Sequence, residues 1–266
     1  MKRRSVHLQK PKALHKGSRI AIVSPSSPAD PAALSAGVAE LRRLGFRVED
    51  PPILHPQGYF AGPHEELIRH LRKPFHDKSV DGVIATRGGY GANYLIDLRL
   101  ATSIAGPKCL IGFSDLNVIQ LLLYEVRSWA GFYGPMVAAG FNHGANEASG
   151  YDVISFWQTV SETKRGWKIP LQAECLASGS ATGRLVGGCL TMLQTSLGTG
   201  WAPDTREAIP AMRAGMAFEL QLNCLVDQSA TNDAGQTEDA RANQQHGSGF
   251  GSRATQRLEH DALAKH

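Results

Sequence analysis

Residues 108–127 read KCLIGFSDLNVIQLLLYEVR, an apolar run that ends in a tight polar turn and then continues with helical periodicity. The first six residues are typical of a strand, and the spacing of the later apolar residues predicts a helix. The same alternation occurs earlier, because a strand pattern at 19–23 precedes a helix pattern at 31–44, and a helix pattern at 64–75 precedes a strand pattern at 80–86. This order predicts βαβ units, and therefore an α/β fold with a parallel sheet.

The composition is that of an ordinary water-soluble chain, with 266 residues, 42% of them hydrophobic, and a net charge of +4. No run approaches the 18 apolar residues of a membrane span, so no membrane partner is expected. Residues 1–17 form a basic tail without the apolar segment of a secretory signal. The four scattered cysteines indicate neither a zinc site nor a disulfide framework. We therefore expect a cytoplasmic protein, and the small charge excess does not indicate a nucleic-acid partner.

The turn at residues 112–115 (GFSD) joins the strand to the helix and permits two interpretations. A serine there can present its hydroxyl at the sheet edge, with the N–H of Asp115 facing the same space, as in a nucleophile elbow. The sequence is not the G-x-S-x-G motif, however, and Ser or Asp before a helix is a common N-terminal cap. From these residues alone, capping is favoured over a nucleophilic role for Ser114.

A second turn, at residues 87–91 (RGGYG), follows the strand at 80–86. Its glycines could supply positive φ angles, expose N–H groups to an oxyanion or substrate, or hold a nucleotide phosphate. The turn lacks the G-x-G-x-x-G pattern and the later acidic residue of a dinucleotide site, so nucleotide binding is the least favoured of the three. Further along, the pair Gly187-Gly188 before an apolar helical stretch predicts close backbone packing.

Taken in order, several segments resemble the LD-carboxypeptidase family of serine peptidases. The matching pieces are residues 17–25, the RGGYG turn at 87–91, Pro107-Lys108, IGFSDL at 111–116, Gly134-Pro135 and residues 183–199. Each piece is weak alone, but the ordered set is specific. Members of the family join an α/β N-terminal domain that carries the serine to a smaller C-terminal domain that carries the glutamate and histidine of a Ser-Glu-His triad.

The resemblance implies hydrolysis of an L,D-peptide bond without a metal or another cofactor, in which the terminal D-alanine is removed from a murein tetrapeptide during cell-wall recycling. Ser114 would be the nucleophile, and the N–H groups of Asp115 and Gly89 would stabilise the oxyanion. A histidine would take the serine proton and later give it to the leaving amine. The expected partner is a muropeptide or another small peptide, and the homodimer of the family is a further expectation.

The resemblance ends near residue 205, and this point sets the predicted domain boundaries. Residues 18–165 are the predicted N-terminal α/β domain with the nucleophile, residues 166–205 begin the C-terminal domain, and residues 206–266 form a divergent, disordered tail. The tail is poor in large apolar residues, so burial cannot offset the entropy cost of ordering it. Our hypothesis is that a shifted reading frame near residues 205–212 causes the loss of the apolar pattern and of the resemblance.

The sequence does not identify the triad glutamate and histidine. Glu219 and His246 are the candidates late in the chain, but neither has the residues that surround the triad members in the family, and His143 is expected in a loop. Two alternatives to an active carboxypeptidase therefore stay open. One is a catalytically inactive relative or peptide-binding module that keeps both turns. The other is a nucleotide-binding α/β domain, which rests only on glycines at a strand end.

Overall fold

The computed structural model describes residues 8–96, 101, 104–161, 180–206 and 208–213. The strands are β1 (Arg19–Val23), β2 (Arg47–Val48), β3 (Gly82–Ala85), β4 (Cys109–Gly112), β5 (Phe132–Tyr133), β6 (Arg184–Cys189) and β7 (Ala208–Arg213). The α-helices are α1 (Pro31–Arg43), α2 (His64–His76), α3 (Asn117–Arg127), α4 (Val153–Ser161) and α5 (Leu190–Ser196). Short 3-10 turns occupy Ala92–Leu95, Ser114–Leu116 and Phe141–His143. None of the helices in these ranges is long and apolar enough to cross a membrane.

The first five strands form one parallel sheet in the order β2-β1-β3-β4-β5. Ile22 lies opposite Ile84, and Ile84 lies opposite Ile111, so a row of isoleucines crosses the three central strands. Every residue of β3 and β4 is buried, as is usual for a parallel sheet that is covered on both faces. The predicted α/β fold with a parallel sheet is therefore confirmed.

Successive residues of the central strands contribute to two separate cores, because side chains alternate between the faces of a sheet. Val83 and Leu110 belong to the buried cluster that includes residues of α2 and α3. Ile84 and Ile111 belong to the cluster that includes residues of α1 and α4. Helices thus cover both faces of the sheet, and the loops at the carboxyl ends of the strands remain as the edge where a site can form.

The strand order changes direction between β1 and β3, since the chain passes from β1 to β2 on one side and then to β3 on the other. In open parallel sheets, ligands bind in the crevice beyond the carboxyl ends of the strands at such a point. Here β1 leads to Ser26 and Ser27, β3 leads to the loop at residues 87–91, and β4 leads to Ser114. The fold therefore brings both turns singled out by the sequence to the same edge.

Strands β6 and β7 form a second, two-stranded parallel sheet. Gly187 packs so closely on β7 that a β-carbon would overlap the carbonyl group of Ala211, which confirms the close packing predicted at this glycine. Strand β7 corrects the expectation of disorder at the start of the 206–266 tail. The backbone groups of β7 pair with those of β6, a partner that the sequence of the tail alone does not reveal. Glu219 and His246 lie outside the described residues.

Candidate active site

Ser114 occupies the junction between β4 and α3 in a conformation that L-residues rarely adopt. Its φ is +58°, and it follows an extended Phe113 and starts the 3-10 turn Ser114–Leu116. A non-glycine residue in this region costs on the order of 1–3 kcal/mol, and such residues cluster at active sites. Neither the 3-10 turn nor α3 begins with a side-chain cap, so the capping interpretation is wrong.

Gly88 is the residue of the glycine turn that packs against the serine. A β-carbon at this buried position would lie 3.0 Å from Ser114 Cβ, 3.1 Å from Ser114 Oγ and 3.5 Å from the backbone nitrogen of Asp115. Nine in ten real β-carbon contacts are looser than the first two. Glycine at position 88 therefore keeps open a space that is bordered by both the hydroxyl and the Asp115 backbone nitrogen, which is the arrangement an oxyanion site requires.

Gly89 packs against the serine loop that follows β1 instead. Its φ is +115°, and a β-carbon would overlap the Ser27 hydroxyl. That hydroxyl accepts a hydrogen bond from the backbone N–H of Tyr90 at 3.1 Å. Position 89 thus requires glycine both for its backbone angle and for space. Its role as an oxyanion donor stays a prediction. The close approach of Gly88 to Ser114 was not predicted, because no local pattern distinguishes Gly88 from Gly89.

Asp115 links the turn at Ser114 to the end of the glycine turn at residues 87–91 through its side chain. The residue is 3% exposed, and its Oδ2 accepts a hydrogen bond from the backbone N–H of Ala92 at 2.8 Å. Burial raises the pKa of the Asp115 carboxyl, while the Ala92 bond and the neighbouring Ser26 hydroxyl oppose that rise. One residue thus places its N–H beside Ser114 and uses its carboxylate to hold the end of the facing loop.

Tyr90 of the glycine turn belongs to an aromatic patch that also includes Phe60, His64 and Tyr94. The hydroxyls of Tyr90 and Tyr94 are 2.8 Å apart and share a hydrogen bond, which is the main cause that raises the pKa of Tyr90. Phe60 stacks on Tyr90, and His64 stacks on Tyr94. Both tyrosines are about half exposed. Sequence reasoning missed the patch because Phe60 and His64 are about 30 residues from the tyrosines.

No base for Ser114 is found within the described part of the chain. None of the histidines or carboxylates there hydrogen bonds to its hydroxyl, and His143 lies exposed in a 3-10 turn. The sequence candidates for the triad, Glu219 and His246, fall outside that part. In the same residues there is no group of three or more His, Cys, Asp or Glu that could hold a metal ion.

Comparison with known proteins gives matches along most of the chain. The family model of the LD-carboxypeptidase N-terminal domain matches residues 20–134. A probable murein peptide carboxypeptidase of Bacillus subtilis is 33% identical over 202 residues, which cover 74% of this chain and 62% of that protein. A putative carboxypeptidase of Streptomyces coelicolor is 32% identical, with coverage of 79% and 66%. The chain thus spans less than two thirds of the length of these two relatives. A putative carboxypeptidase of Synechocystis is 30% identical, with coverage of 82% and 70%.

Solved structures agree with these matches. A muramoyltetrapeptide carboxypeptidase from Oxalobacter formigenes superposes with a TM-score of 0.61 at 28% identity, covering 70% of this chain and 62% of that one. An MccF-like protein from Bacillus anthracis has a TM-score of 0.65 over 77% of this chain and 69% of that one, and at 22% identity it shows a likeness of fold alone. On these grounds, the chain belongs to the LD-carboxypeptidase family of peptidases.

Proposed function

We propose that this protein is a serine carboxypeptidase that cleaves an L,D-peptide bond and releases the terminal D-alanine of a murein tetrapeptide. The observation that carries the proposal is the placement of Ser114, which has a φ of +58° at the carboxyl end of β4. Gly88 leaves the space beside its hydroxyl open. The murein peptide carboxypeptidase among the relatives supports the substrate class.

In the proposed mechanism, Ser114 Oγ attacks the carbonyl carbon of the bond that precedes D-alanine. A histidine takes the hydroxyl proton and then gives it to the amine of the departing D-alanine, which leaves an acyl-enzyme that water hydrolyses. This histidine and its glutamate would come from the part of the protein beyond the described residues. The reaction needs no metal or other cofactor and would serve cell-wall recycling in the cytoplasm, and the protein would act as a homodimer.

Two N–H groups would stabilise the negative charge that develops on the carbonyl oxygen. The N–H of Asp115 is one, since its nitrogen borders the space that Gly88 keeps open. The N–H of Gly89 is the other. One such donor typically contributes about 3–4 kcal/mol to lowering the barrier. The start of the 3-10 turn and of α3 adds partial positive charge on the same side of the serine.

A peptide-binding module without turnover is the second candidate function. The observation that favours it is that no described side chain is placed to take the proton of Ser114. Such a protein would keep the cleft between the two turns and bind the same muropeptide. Turnover separates the two functions, since both predict binding and only the first predicts release of D-alanine.

The test uses the purified chain and the tetrapeptide L-Ala-γ-D-Glu-meso-diaminopimelate-D-Ala, or its L-lysine counterpart, with D-amino-acid oxidase to measure free D-alanine. We expect turnover by the wild type and none by Ser114→Ala. The matched control is Ser149→Ala, which removes an exposed hydroxyl at a φ of +61° and should leave turnover unchanged. Equal turnover by Ser114→Ala would exclude the serine mechanism. Saturable binding by folded wild-type protein without turnover would support the binding module.

A further inference from the structure

The side chain of Gln120 is buried at the ends of β4 and β5. The residue is 4% exposed and lies in the first turns of α3. Its Nε2 lies 3.3 Å from the carbonyl oxygen of Leu110, 3.1 Å from that of Gly112 and 2.8 Å from that of Phe132. One amide group therefore faces carbonyl groups of β5 and of β4, the strand that leads into the Ser114 turn.

The orientation of this amide is determined by its neighbours. Three carbonyl oxygens can only accept hydrogen bonds, so the group that faces them has to be the NH₂. Gln120 Oε1 accepts from Asn117 Nδ2 at 3.2 Å, and Asn117 Oδ1 accepts from the backbone N–H of Cys189 at 3.2 Å. Asn117 is fully buried. We call these two side chains the amide relay, which runs from β6 to the carboxyl end of β4.

The relay binds the backbone of β4 just before Ser114. Gly112, whose carbonyl it binds, is two residues before the serine, and the same carbonyl accepts a hydrogen bond from the N–H of Gly134 at 3.3 Å. Gly131 packs against the stem of Gln120, where a β-carbon would lie 3.1 Å from Cγ. A backbone in a rarely populated conformation persists only when its surroundings enforce it. Among the described residues, the relay ties the strand before Ser114 both to β5 and to the second sheet.

We propose that Gln120 is a positioning residue for Ser114, and that Asn117 extends its effect to the pairing of β6. The inference rests on the proposed function in one respect, since it takes Ser114 as the nucleophile. Gln120 does not touch the space beside the hydroxyl that Gly88 keeps open. Its loss should therefore slow the chemical step rather than weaken substrate binding.

The test compares Gln120→Met, which keeps the length and burial of the side chain but cannot donate, with Gln9→Met at an exposed position. We expect kcat of Gln120→Met to fall about 10- to 100-fold through misplacement of the nucleophile, with KM within a factor of about three. Gln9→Met should match the wild type. If Gln120→Met does not fold, Gln120→Glu is measured in its place. A buried carboxyl at this position can donate at most one hydrogen bond, so this variant should lower kcat in the same way.

A second readout separates this inference from the proposed function. Amide hydrogen exchange at Gly134 and Cys189 reports the two ends of the relay without any substrate. We expect Gln120→Met to speed exchange at Gly134, and Asn117→Leu to speed exchange at Cys189. If the wild-type protein shows no turnover, the proposed function is excluded. The hydrogen-exchange rates alone would then test the positioning role. Unchanged exchange, or an unchanged kcat in a folded Gln120 variant of an active enzyme, would overturn the inference.

Discussion

Gly88 and Ser114 are packed so closely that a single added methyl group would reach the turn at Ser114. A β-carbon at position 88 would lie 3.0 Å from Ser114 Cβ and 3.1 Å from its Oγ. The relationship joins the loop after β3 to the turn after β4, so the glycine turn forms one wall of the space beside the hydroxyl. A carbonyl group that approached the Ser114 hydroxyl from this side would share the space with the backbone of Gly88.

Gly88→Ala should therefore impair catalysis more than folding. The methyl group would have to displace Ser114 by a few tenths of an ångström or occupy the space of the substrate, and we expect kcat/KM to fall about 10- to 100-fold. Gly106→Ala is the matched control, because a β-carbon there meets no atom within 4 Å. Steady-state kinetics and thermal unfolding of both variants would check the expectation. Wild-type kinetics in Gly88→Ala would show that the space is not used.

The strained backbone of Ser114 predicts an inverted order of stability for two small substitutions. Ser114→Gly and Ser114→Ala both remove the hydroxyl, but only glycine relieves the positive φ, so the glycine variant should be more stable by about 1 kcal/mol. At Ser35, exposed in helix α1, the usual order should hold, with alanine more stable than glycine by about 1 kcal/mol. Denaturant unfolding of the four variants measures both differences. The same order at both positions would contradict strain at Ser114.

Local periodicity was sufficient to predict the three central strands β1, β3 and β4 and the helices α1, α2 and α3. The predicted strand at residues 19–23 coincides with β1, and the predicted helix at residues 64–75 is within one residue of α2. These elements are long or strongly apolar, so their side-chain pattern reports their burial directly. Strand β5 was not predicted, because its two residues, Phe132 and Tyr133, are too few to establish a period.

The contacts that build the site depend instead on pairs far apart in the sequence. Asp115 binds the N–H of Ala92, 23 residues earlier, and Ser27 binds that of Tyr90, 63 residues later. No spacing rule brings such partners together. One signal was available, however, since Gln120 interrupts the apolar run of α3. Because the surrounding residues predict burial, its amide needed hydrogen-bond partners inside the protein.

The hydrogen bond between Tyr90 and Tyr94 predicts a change in an alkaline titration. This bond is the main cause that raises the pKa of Tyr90, because it stabilises the neutral phenol. In Tyr94→Phe the bond is lost, and the pKa of Tyr90 should fall toward its ordinary value of about 10. Tyr59→Phe is the control, since Tyr59 is 77% exposed. Nuclear magnetic resonance of labelled tyrosine rings measures the titration, and an unchanged Tyr90 in Tyr94→Phe would contradict the prediction.

Two substitutions at Asp115 separate its role as an acceptor from its charge. Asp115→Ala would leave the buried N–H of Ala92 without its partner, and this should lower the free energy of unfolding by about 1–3 kcal/mol. Asp115→Asn keeps a side-chain oxygen for that bond and removes the charge, so it should be at least as stable as the wild type at neutral pH. Urea unfolding at pH 7 distinguishes them. Equal losses in both variants would mean that the carboxylate charge, and not the bond to Ala92, holds the two turns together.

The buried carboxyl of Asp115 also predicts how stability depends on pH. Burial raises its pKa in the folded protein, so the folded state holds this proton more tightly than the unfolded state. Between an unfolded pKa of about 3.9 and the raised folded value, the unfolding free energy should therefore decrease as pH rises. Asp115→Asn lacks this titration, so the variant should gain stability relative to the wild type from about pH 4 toward neutral pH. Asp50→Asn, at a carboxylate that is 94% exposed, should show no such gain. A difference between Asp115→Asn and wild type that stays constant from pH 3 to 7 would mean that the Ala92 bond and the Ser26 hydroxyl fully compensate for burial.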